Sequence, residues 1–250
     1  MRRYWNAFVM CQSMFCAFPC PWKAWDEKAR PVQLLFLPIV GLEIGVVWAV
    51  LAWLTTSLEL QSLIRGIVLC AYPFLATGFI HLDGFMDVSD AVKSWRDLER
   101  RREILKDSRV GAFSVINVVL VILAQFAFAT SVPFETGKIY FVILALIPVV
   151  SRCCAGLAVT GLPAMSSSQY AGLDRKKKVH LMIFIIMLVI VAVAGVVLCG
   201  KISVALAGVA AGYALALRRA YKSLEGMNGD ISGYALTIGE MCGLAVLALI

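Results

Sequence analysis

Long apolar stretches alternate with short polar connections along most of the chain. About 20 apolar residues in a helix cross a hydrocarbon core roughly 30 Å thick, and several stretches reach that length with almost no charge. The pattern predicts spans near 34–56, 61–82, 111–132, 139–160, 179–199, 202–217 and 234–250. The period-2 alternation of a membrane β-barrel is missing. The predicted fold class is therefore all-α, a polytopic membrane helix bundle of about seven transmembrane helices.

The first 33 residues do not repeat this pattern. Polar residues such as Gln12 interrupt the apolar run, and no clear small-residue cleavage site follows, so a signal peptide is not indicated. Tryptophan favours the membrane–water interface, and this segment contains Trp5, Trp22 and Trp25. We therefore predict that residues 1–33 form an amphipathic segment that lies on the membrane surface.

Composition and charge agree with this class. Of the 250 residues, 61% are hydrophobic and 16% are charged, and the mean hydropathy is +0.85; soluble domains usually carry about 25% charged residues. Membrane topology and affinity for anionic lipid explain the net charge of +7, so nucleic acid is not expected as a partner. The eight cysteines include no CxxC pair and no Cys/His metal spacing, and in apolar surroundings they behave as small hydrophobes.

Basic residues concentrate in the N-terminal segment and in three connections, at 93–109, 175–178 and 218–222. By the positive-inside rule these regions face the cytoplasm. The prediction is a multi-pass protein of the cell (inner) membrane with a cytoplasmic N-terminus and, after about seven spans, an external C-terminus. The cytoplasmic connections are also the longer ones, so a site is expected on that face.

An acidic constellation follows the second predicted span. Asp83, Asp87 and Asp90 are spaced i, i+4, i+7 and share one face of a helix. Like charges stacked in this way repel unless a cation lies among them, and hard divalent cations such as Mg²⁺ favour oxygen ligands. Asp83 emerges directly from an apolar span, at a depth where ionisable residues are usually functional. The pattern predicts a metal site; a solvated helix face screened by neighbouring arginines is the alternative.

A second charged group precedes the third predicted span. Arg109 has the fork geometry that holds a phosphate bidentately, and Lys106 provides a point charge. Asp107 is a candidate fourth metal ligand or general base. Carboxylates for Mg²⁺ beside Arg and Lys for phosphate are typical of phosphoryl transfer, so we predict that residues 83–110 form a cytoplasmic active-site loop. Arg100 and Arg101, in the middle of this loop, are interpreted as structural.

The loop before the last predicted span, 226–233, is rich in glycine and carries Asn228 and Asp230. Backbone N–H groups of such loops bind phosphate, although a plain turn fits the pattern equally well. His81 is interpreted either as an interface histidine or as part of the site.

Three ionisable residues lie inside predicted spans: Glu43, Arg152 and Glu240. A charged side chain in the hydrocarbon core costs free energy. Arg152 is expected either to pair with a carboxylate in the bundle or to reach a substrate phosphate. The two glutamates are interpreted as members of buried pairs or as pathway residues.

Two motifs together carry a family resemblance. The first is His-Leu-Asp-Gly-Phe-Met-Asp-Val-Ser-Asp-Ala at 81–91, and the second is Arg-Arg-Glu-Ile-Leu-Lys-Asp-Ser-Arg-Val-Gly-Ala-Phe at 101–113. This pair resembles the signature of the cobalamin synthase family, the adenosylcobinamide-GDP ribazoletransferases. The resemblance runs over nearly the whole chain and includes the stretches 36–41, 151–152, 171–173 and 226–233. One departure is Glu225, which stands where the family usually has glycine.

The resemblance implies a Mg²⁺-dependent transferase acting late in cobalamin biosynthesis. Adenosylcobinamide-GDP and α-ribazole, or its 5′-phosphate, would give adenosylcobalamin, or its 5′-phosphate, with release of GMP. Residues 1–250 are then a single transmembrane catalytic domain in the lipid bilayer. The resemblance is compatible with either a monomer or a homo-oligomer.

The residues assigned to the site by this resemblance fall into three sets. The implied metal ligands, which would hold Mg²⁺ on the diphosphate, are Asp83, Asp87 and Asp90. The implied catalytic residues are Asp83, Asp87, Asp107 and Arg109. The implied substrate-binding residues are His81, Lys106, Arg152, Asn228 and Asp230. Asp107 or another carboxylate would accept the proton of the ribose hydroxyl.

A CDP-alcohol phosphotransferase is an alternative class, because that family also binds divalent metal through aspartates at a membrane surface. Its motif requires an Ala-Arg pair after Asp-Gly-x-x, and Asp87-Val88 occupies that position here. The motif therefore disfavours this class.

A transporter or channel without enzymatic activity is a second alternative. Such a protein usually places its polar residues near the membrane midplane and often has internal repeats. Here the polar residues cluster at one face and no repeat is visible, so this class is also disfavoured.

Overall fold

The computed structural model describes residues 2–166, 168–170 and 177–250, and within them the chain is helical, with no named strand. The helices are α1 (Arg2–Phe15), α2 (Arg30–Gln33), α3 (Leu37–Ser57), α4 (Ser62–Ala76), α5 (Ile80–Lys93), α6 (Leu98–Ile104), α7 (Ala112–Ser131), α8 (Ile139–Gly161), α9 (Lys177–Cys199), α10 (Val204–Leu224) and α11 (Gly229–Leu249). The prediction of an all-α membrane helix bundle is confirmed.

Five continuous helical segments of the described residues are long and apolar enough to cross a membrane, or six if the bent pair α4–α5 counts as one span. One segment, Lys177–Leu224, has 48 residues, more than twice the roughly 20 that one crossing needs. It contains α9 and α10, which meet next to Gly200, where φ is +56°. The prediction of about seven spans agrees with this structure when α9 and α10 are counted separately.

Helix α8 lies at the centre of the bundle, against α3, α9, α10 and α11. Its Ile143 and Ile147 are fully buried, and α3 approaches it closely at Gly41, which has no side chain. By contrast, α7 and α9 expose apolar side chains such as Leu120 and Val197. Such continuous apolar surfaces are expected where helices face lipid.

The second predicted span, 61–82, is not one straight helix. Its two parts, α4 and α5, meet at an angle of 88°. Gly78 (φ +58°) and Phe79 (φ +64°) take the left-handed backbone conformation at the bend, which glycine adopts readily and a bulky residue rarely does. Because of the bend, Asp83 lies in the first turn of a new helix and not beyond the end of a span.

Connections gather at the two ends of the bundle. At one end Arg30 Nη2 donates to the carbonyl of Gln169 at 3.0 Å, and at the other Arg65 pairs with Glu135. Helix α1 packs into the first end with Cys11 fully buried. One face of α1 therefore packs against the bundle, and the position of residues 1–33 on the membrane surface stays a prediction.

Candidate active site

The side chains of Asp83, Asp87 and Asp230 come together where α5 packs against α11. A Cβ atom on Gly84 would lie 2.9 Å from the Cα atom of Asp230, so the two backbones approach closely only because this position has no side chain. Asp83 and Asp87 are on the first two turns of α5, and Asp230 is in the first turn of α11. The close approach therefore adds a carboxylate from the far end of the chain to the predicted pair.

Within the described part of the chain, no basic side chain forms an ion pair with these carboxylates. The charges of Asp83, Asp230 and Asp90 all act on the half-buried Asp87, and that of Asp83 also acts on Asp230. Asn228 Nδ2 donates to Asp230 Oδ2 at 2.7 Å, while Asn228 Oδ1 caps α11 by accepting from the N–H of Ile231 at 2.9 Å. A divalent cation would relieve the repulsion among the three.

The chemistry of this donor set fits Mg²⁺. Carboxylate oxygens are preferred ligands, and Mg²⁺ usually keeps several waters beside one or two protein carboxylates. No group of three or more His, Cys, Asp or Glu side chains in the described part of the chain is arranged to hold a metal ion by itself. The remaining ligands would therefore come from water and substrate phosphate, and magnesium binding stays a prediction.

Asp90, predicted as the third metal ligand, caps α7 in the structure. Its Oδ2 accepts from the N–H of Gly111 at 2.7 Å, and its Oδ1 accepts from the N–H of Ser114 at 2.9 Å. Both oxygens thus satisfy backbone donors at the start of α7 that have no partner within the helix. Asp230 of α11 also lies near Asp87, which spacing along α5 could not indicate, and metal binding by Asp90 stays a prediction.

A cavity of about 570 Å³ opens beside Asp230. Its lining includes Arg102, Lys106, Glu225 and Asn228. Lys106 is exposed and makes no ion pair within the described residues, so its charge is available to an anionic group next to the carboxylates. The predicted substrate-binding residues Lys106, Asn228 and Asp230 are therefore brought together.

The short helix α6 is anchored to the end of α10. Arg101 Nη1 donates to the carbonyl of Ser223 at 2.9 Å, and Arg102 Nε donates to that of Leu224 at 3.0 Å. The carbonyls at a helix C-terminus lack partners within the helix, so basic side chains are favourable there. The structural role expected of Arg101 is confirmed, and the anchor positions the backbone that carries Lys106.

Asp107 and Arg109 pair with each other. Arg109 Nη2 donates to Asp107 Oδ2 at 2.7 Å, and Arg109 Nε donates to both carboxylate oxygens at 3.1 Å. This hydrogen bonding lowers the pKa of Asp107 to about 2, which makes it a weak base. Neither residue lines the cavity beside Asp230, and their catalytic roles stay predictions.

Of the two roles expected of Arg152, the structure shows the pairing within the bundle. Only 2% of Arg152 and 6% of Glu240 are exposed, and Arg152 Nη1 pairs with Glu240 Oε1. Ser151 Oγ donates to the same glutamate oxygen at 2.7 Å. Burial beside Glu240 favours the pairing role, and substrate binding by Arg152, which does not line the cavity that Lys106 lines, stays a prediction.

Comparison with known proteins decides the family. The model of the family described as CobS, cobalamin-5-phosphate synthase, matches residues 7–248. The chain belongs to this cobalamin synthase family. It is therefore an enzyme, a transferase of cobalamin biosynthesis. No solved structure matches the chain.

Three curated relatives match between 97% and 100% of this chain. It is 35% identical over 254 residues to the adenosylcobinamide-GDP ribazoletransferase of Clostridium perfringens (strain SM101 / Type A), with 100% of both chains covered. It is 34% identical to the protein of that name from Clostridium botulinum (strain Alaska E43 / Type E3), over 98% of this chain and 97% of the relative. The protein of that name from Brevibacillus brevis (strain 47 / JCM 6285 / NBRC 100599) is 31% identical over 97% of each.

Two of the stretches that resemble cobalamin synthases meet in the structure. A Cβ atom on Gly41, in stretch 36–41, would lie 3.0 Å from Arg152 Cδ, so this glycine leaves room for the buried arginine. A third stretch, 171–173, lies outside the described residues. These matches therefore reflect packing around the buried ion pair as well as the site.

Aromatic side chains beside the site were not singled out from the sequence. Phe15, at the end of α1, and Tyr170 line a smaller cavity together with His81 and Asp230. Neither residue belongs to a charged motif or a regular spacing in the sequence, so only the fold brings them here.

Proposed function

We propose that this cobalamin synthase family member is an adenosylcobinamide-GDP ribazoletransferase. The curated relatives carry this name. The observation that supports it in the structure is the convergence of Asp83, Asp87 and Asp230 next to a cavity lined by Lys106. Carboxylates for a metal ion beside a cation for phosphate suit the transfer of a phosphate-containing group.

The proposed reaction joins adenosylcobinamide-GDP to α-ribazole or its 5′-phosphate. A ribose hydroxyl oxygen attacks the phosphorus atom attached to cobinamide and forms a new O–P bond. The O–P bond to GMP breaks, and GMP leaves with its electron pair. The hydroxyl proton passes to a carboxylate, and the other product is adenosylcobalamin or its 5′-phosphate.

One or two carboxylates of the cluster formed by Asp83, Asp87 and Asp230 would hold Mg²⁺ beside water and substrate phosphate, and the ion when bound would supply positive charge to the diphosphate. Lys106 binds phosphate oxygens from the neighbouring cavity as a point charge. Asn228 fixes the orientation of Asp230 through the 2.7 Å hydrogen bond. These residues bind and orient the diphosphate before the hydroxyl attacks.

The acceptor of the hydroxyl proton is proposed to be a carboxylate of this cluster. Asp107 is less suited to this role, because its hydrogen bonds with Arg109 lower its pKa to about 2.

Reconstitution tests the proposed function directly. The purified protein in liposomes is given adenosylcobinamide-GDP, α-ribazole or its 5′-phosphate, and Mg²⁺, and cobalamin product and GMP are measured. We expect both products in equal amounts, with no turnover in EDTA and recovery when Mg²⁺ is restored. Folded protein that forms no cobalamin product with either acceptor would overturn the proposal.

Replacement of a single carboxylate tests its part in the same reaction. Asp83→Asn should lower kcat by at least about a hundredfold, since even changes behind the metal ligands cost roughly 10–100-fold at metal sites. Glu99→Gln is the matched control, because Glu99 is exposed on α6 and makes no hydrogen bond or ion pair within the described residues. Equal activity of Asp83→Asn and wild type would exclude Asp83 from the site.

We also propose that the site faces the cytoplasm of a bacterial inner membrane. Basic stretches lie at 93–109 and 218–222, in the chain regions that build the site end of the bundle. With an odd number of spans, a C-terminal alkaline phosphatase fusion should be active and a C-terminal GFP fusion dark. A fluorescent C-terminal GFP fusion would contradict this orientation.

A further inference from the structure

The cavity of about 570 Å³ beside Asp230 has a second wall, which is formed by α6 and by the residue after α10. Arg102 and Glu225 line this wall, and Lys106 lines the same cavity. Cavities that bind cofactors and other small ligands usually measure about 300–1,000 Å³. The cavity therefore has room for more of a substrate than the phosphate groups that Lys106 would bind.

Glu225 has a backbone conformation that its residue type disfavours. Its φ of 50° and ψ of 43° lie in the left-handed region, and it directly follows the last residue of α10, where glycine is the usual residue. Residues held in this conformation cost free energy and are concentrated at active sites and ligand clamps. The Glu225 side chain is exposed and makes no hydrogen bond or ion pair within the described residues. No contact in that part of the chain therefore explains why a glutamate stands here.

The guanidinium of Arg102 is fixed beside this glutamate. Its Nε donates to the carbonyl of Leu224 at 3.0 Å, and its Nη2 donates to that of Glu225 at 2.9 Å. The third nitrogen, Nη1, makes no hydrogen bond within the described residues, and the guanidinium forms no ion pair with the Glu225 carboxylate. The wall thus presents oriented N–H donors next to a carboxylate acceptor, and both sets remain available to a ligand.

On the basis of the proposed ribazoletransferase function, we propose that Arg102 and Glu225 bind the guanine base of the GDP moiety. One edge of guanine carries the acceptor O6 next to two donors, N1–H and N2–H₂. Arg102 donates to O6, and the Glu225 carboxylate accepts from both donors. Adenine has an amino group in place of O6 and an unprotonated N1, so it presents a donor to the guanidinium and an acceptor to the carboxylate.

Glu225 is thereby a residue that determines nucleotide specificity. The family resemblance does not imply this role, because Glu225 is a departure from the family pattern. The phosphates of the same substrate extend from the base toward Lys106 and Asp230, which line the same cavity.

A glycine at this position separates base recognition from folding. Glu225→Gly removes the carboxylate but provides the residue that this backbone conformation favours, so thermal unfolding in detergent should occur at the wild-type temperature or above. Glu59→Gly is the matched control. Glu59 is also an exposed glutamate with a positive φ, of 52°, but it follows α3 and does not line this cavity.

Substrate analogues measure the contact to the base. An analogue of adenosylcobinamide-GDP with inosine in place of guanosine lacks the N2 amino group and so loses one hydrogen bond to the carboxylate. Wild type and Glu59→Gly should have a kcat/KM about tenfold higher for the guanosine substrate than for this analogue. In Glu225→Gly the two values should be equal, and the KM for α-ribazole should be that of wild type.

Equilibrium dialysis with GMP and IMP measures the same preference without turnover. Wild type should bind GMP about tenfold more tightly than IMP, and Glu225→Gly should bind the two equally. Equal binding of GMP and IMP by wild type, or an unchanged preference in Glu225→Gly, would overturn the assignment of the base. If wild type turns over neither corrinoid substrate, the ribazoletransferase activity itself fails, and the dialysis result still decides whether Glu225 recognises guanine.

Discussion

At the scale of single side chains, Asp90 acts on the backbone of a neighbouring helix. Its carboxylate accepts the N–H groups of Gly111 and Ser114, at 2.7 and 2.9 Å. Asp90→Ala should therefore lower the stability of the folded protein by about 1–2 kcal/mol, the usual effect of removing a helix cap. It should leave the Mg²⁺ concentration needed for half-maximal activity unchanged, and thermal unfolding in detergent together with Mg²⁺ titrations measures both quantities.

Two further variants serve as controls for this prediction. Asp97→Ala removes the cap of α6, whose Arg100 N–H lies 2.9 Å from Asp97 Oδ1, and serves as a control for loss of a cap. Asp87→Asn should raise the Mg²⁺ requirement without removing a cap. If Asp90→Ala raised that requirement as much as Asp87→Asn does, Asp90 would be a metal ligand after all.

The ionisation of Asp107 gives a prediction about pH. Hydrogen bonds from Arg109 lower its pKa from 3.8 to about 2 in the folded protein. The stabilisation from this pair is therefore fully present above the unfolded value and is lost as the pH falls toward 2. Asp107 does not titrate between about pH 5 and 9, so Asp107→Asn should leave the shape of the pH–rate profile unchanged over that range. Loss of an ionisation from the profile in this variant would identify Asp107 as the general base.

At the scale of helices, the site depends on how closely α5 approaches α11. In Gly84→Ala the new Cβ would lie 2.9 Å from Asp230 Cα and 3.0 Å from its carbonyl oxygen, so backbone must move. Overpacking of this kind costs about 1–3 kcal/mol. Because the shift separates Asp87 from Asp230, we expect activity to fall at least tenfold, measured at saturating substrate. Gly137→Ala is the control, since its φ of 176° is extended and its Cβ would meet only Ile139 Cγ1 at 3.7 Å.

The lengths of the membrane helices can be predicted from the lengths of the apolar runs. The bend between α4 and α5 cannot be predicted in this way. The run 61–82 is long enough for one span, and Gly78 is an ordinary residue in a membrane helix. The bend requires Phe79 to take φ +64°, a conformation that its residue type disfavours. Contacts from other elements, among them the 2.8 Å hydrogen bond from the N–H of Ala17 to the carbonyl of Ala76, support the bend.

At the scale of the whole bundle, the pair Arg152–Glu240 links α8 to α11 in the buried interior. Glu240→Gln would leave the guanidinium charge without a counterion, which costs about 3–5 kcal/mol at buried sites. The double variant Arg152→Met/Glu240→Met removes both charges and should be more stable than Glu240→Gln. Thermal unfolding in detergent compares the three proteins, and a double variant less stable than Glu240→Gln would contradict the prediction.

Properties that depend on neighbours along the chain can be inferred from the amino-acid sequence alone. The length of apolar runs specifies membrane helices, and helical periodicity places Asp83 and Asp87 on one face of α5. The two motifs at 81–91 and 101–113 indicate the family without reference to any contact between helices. These inferences hold because each rests on residues within one helix or one connection.

The residues that complete the site come from distant parts of the chain, and helix packing is what brings them together. Asp230 joins Asp83 because a glycine lets α5 and α11 touch, and Asp90 turns to cap α7 because the loop after α6 returns to it. The same holds for the pairing of Arg152 and for the aromatic cavity beside His81. The physical reason is that helix packing brings together side chains far apart in the chain, and local patterns carry no information about which faces meet.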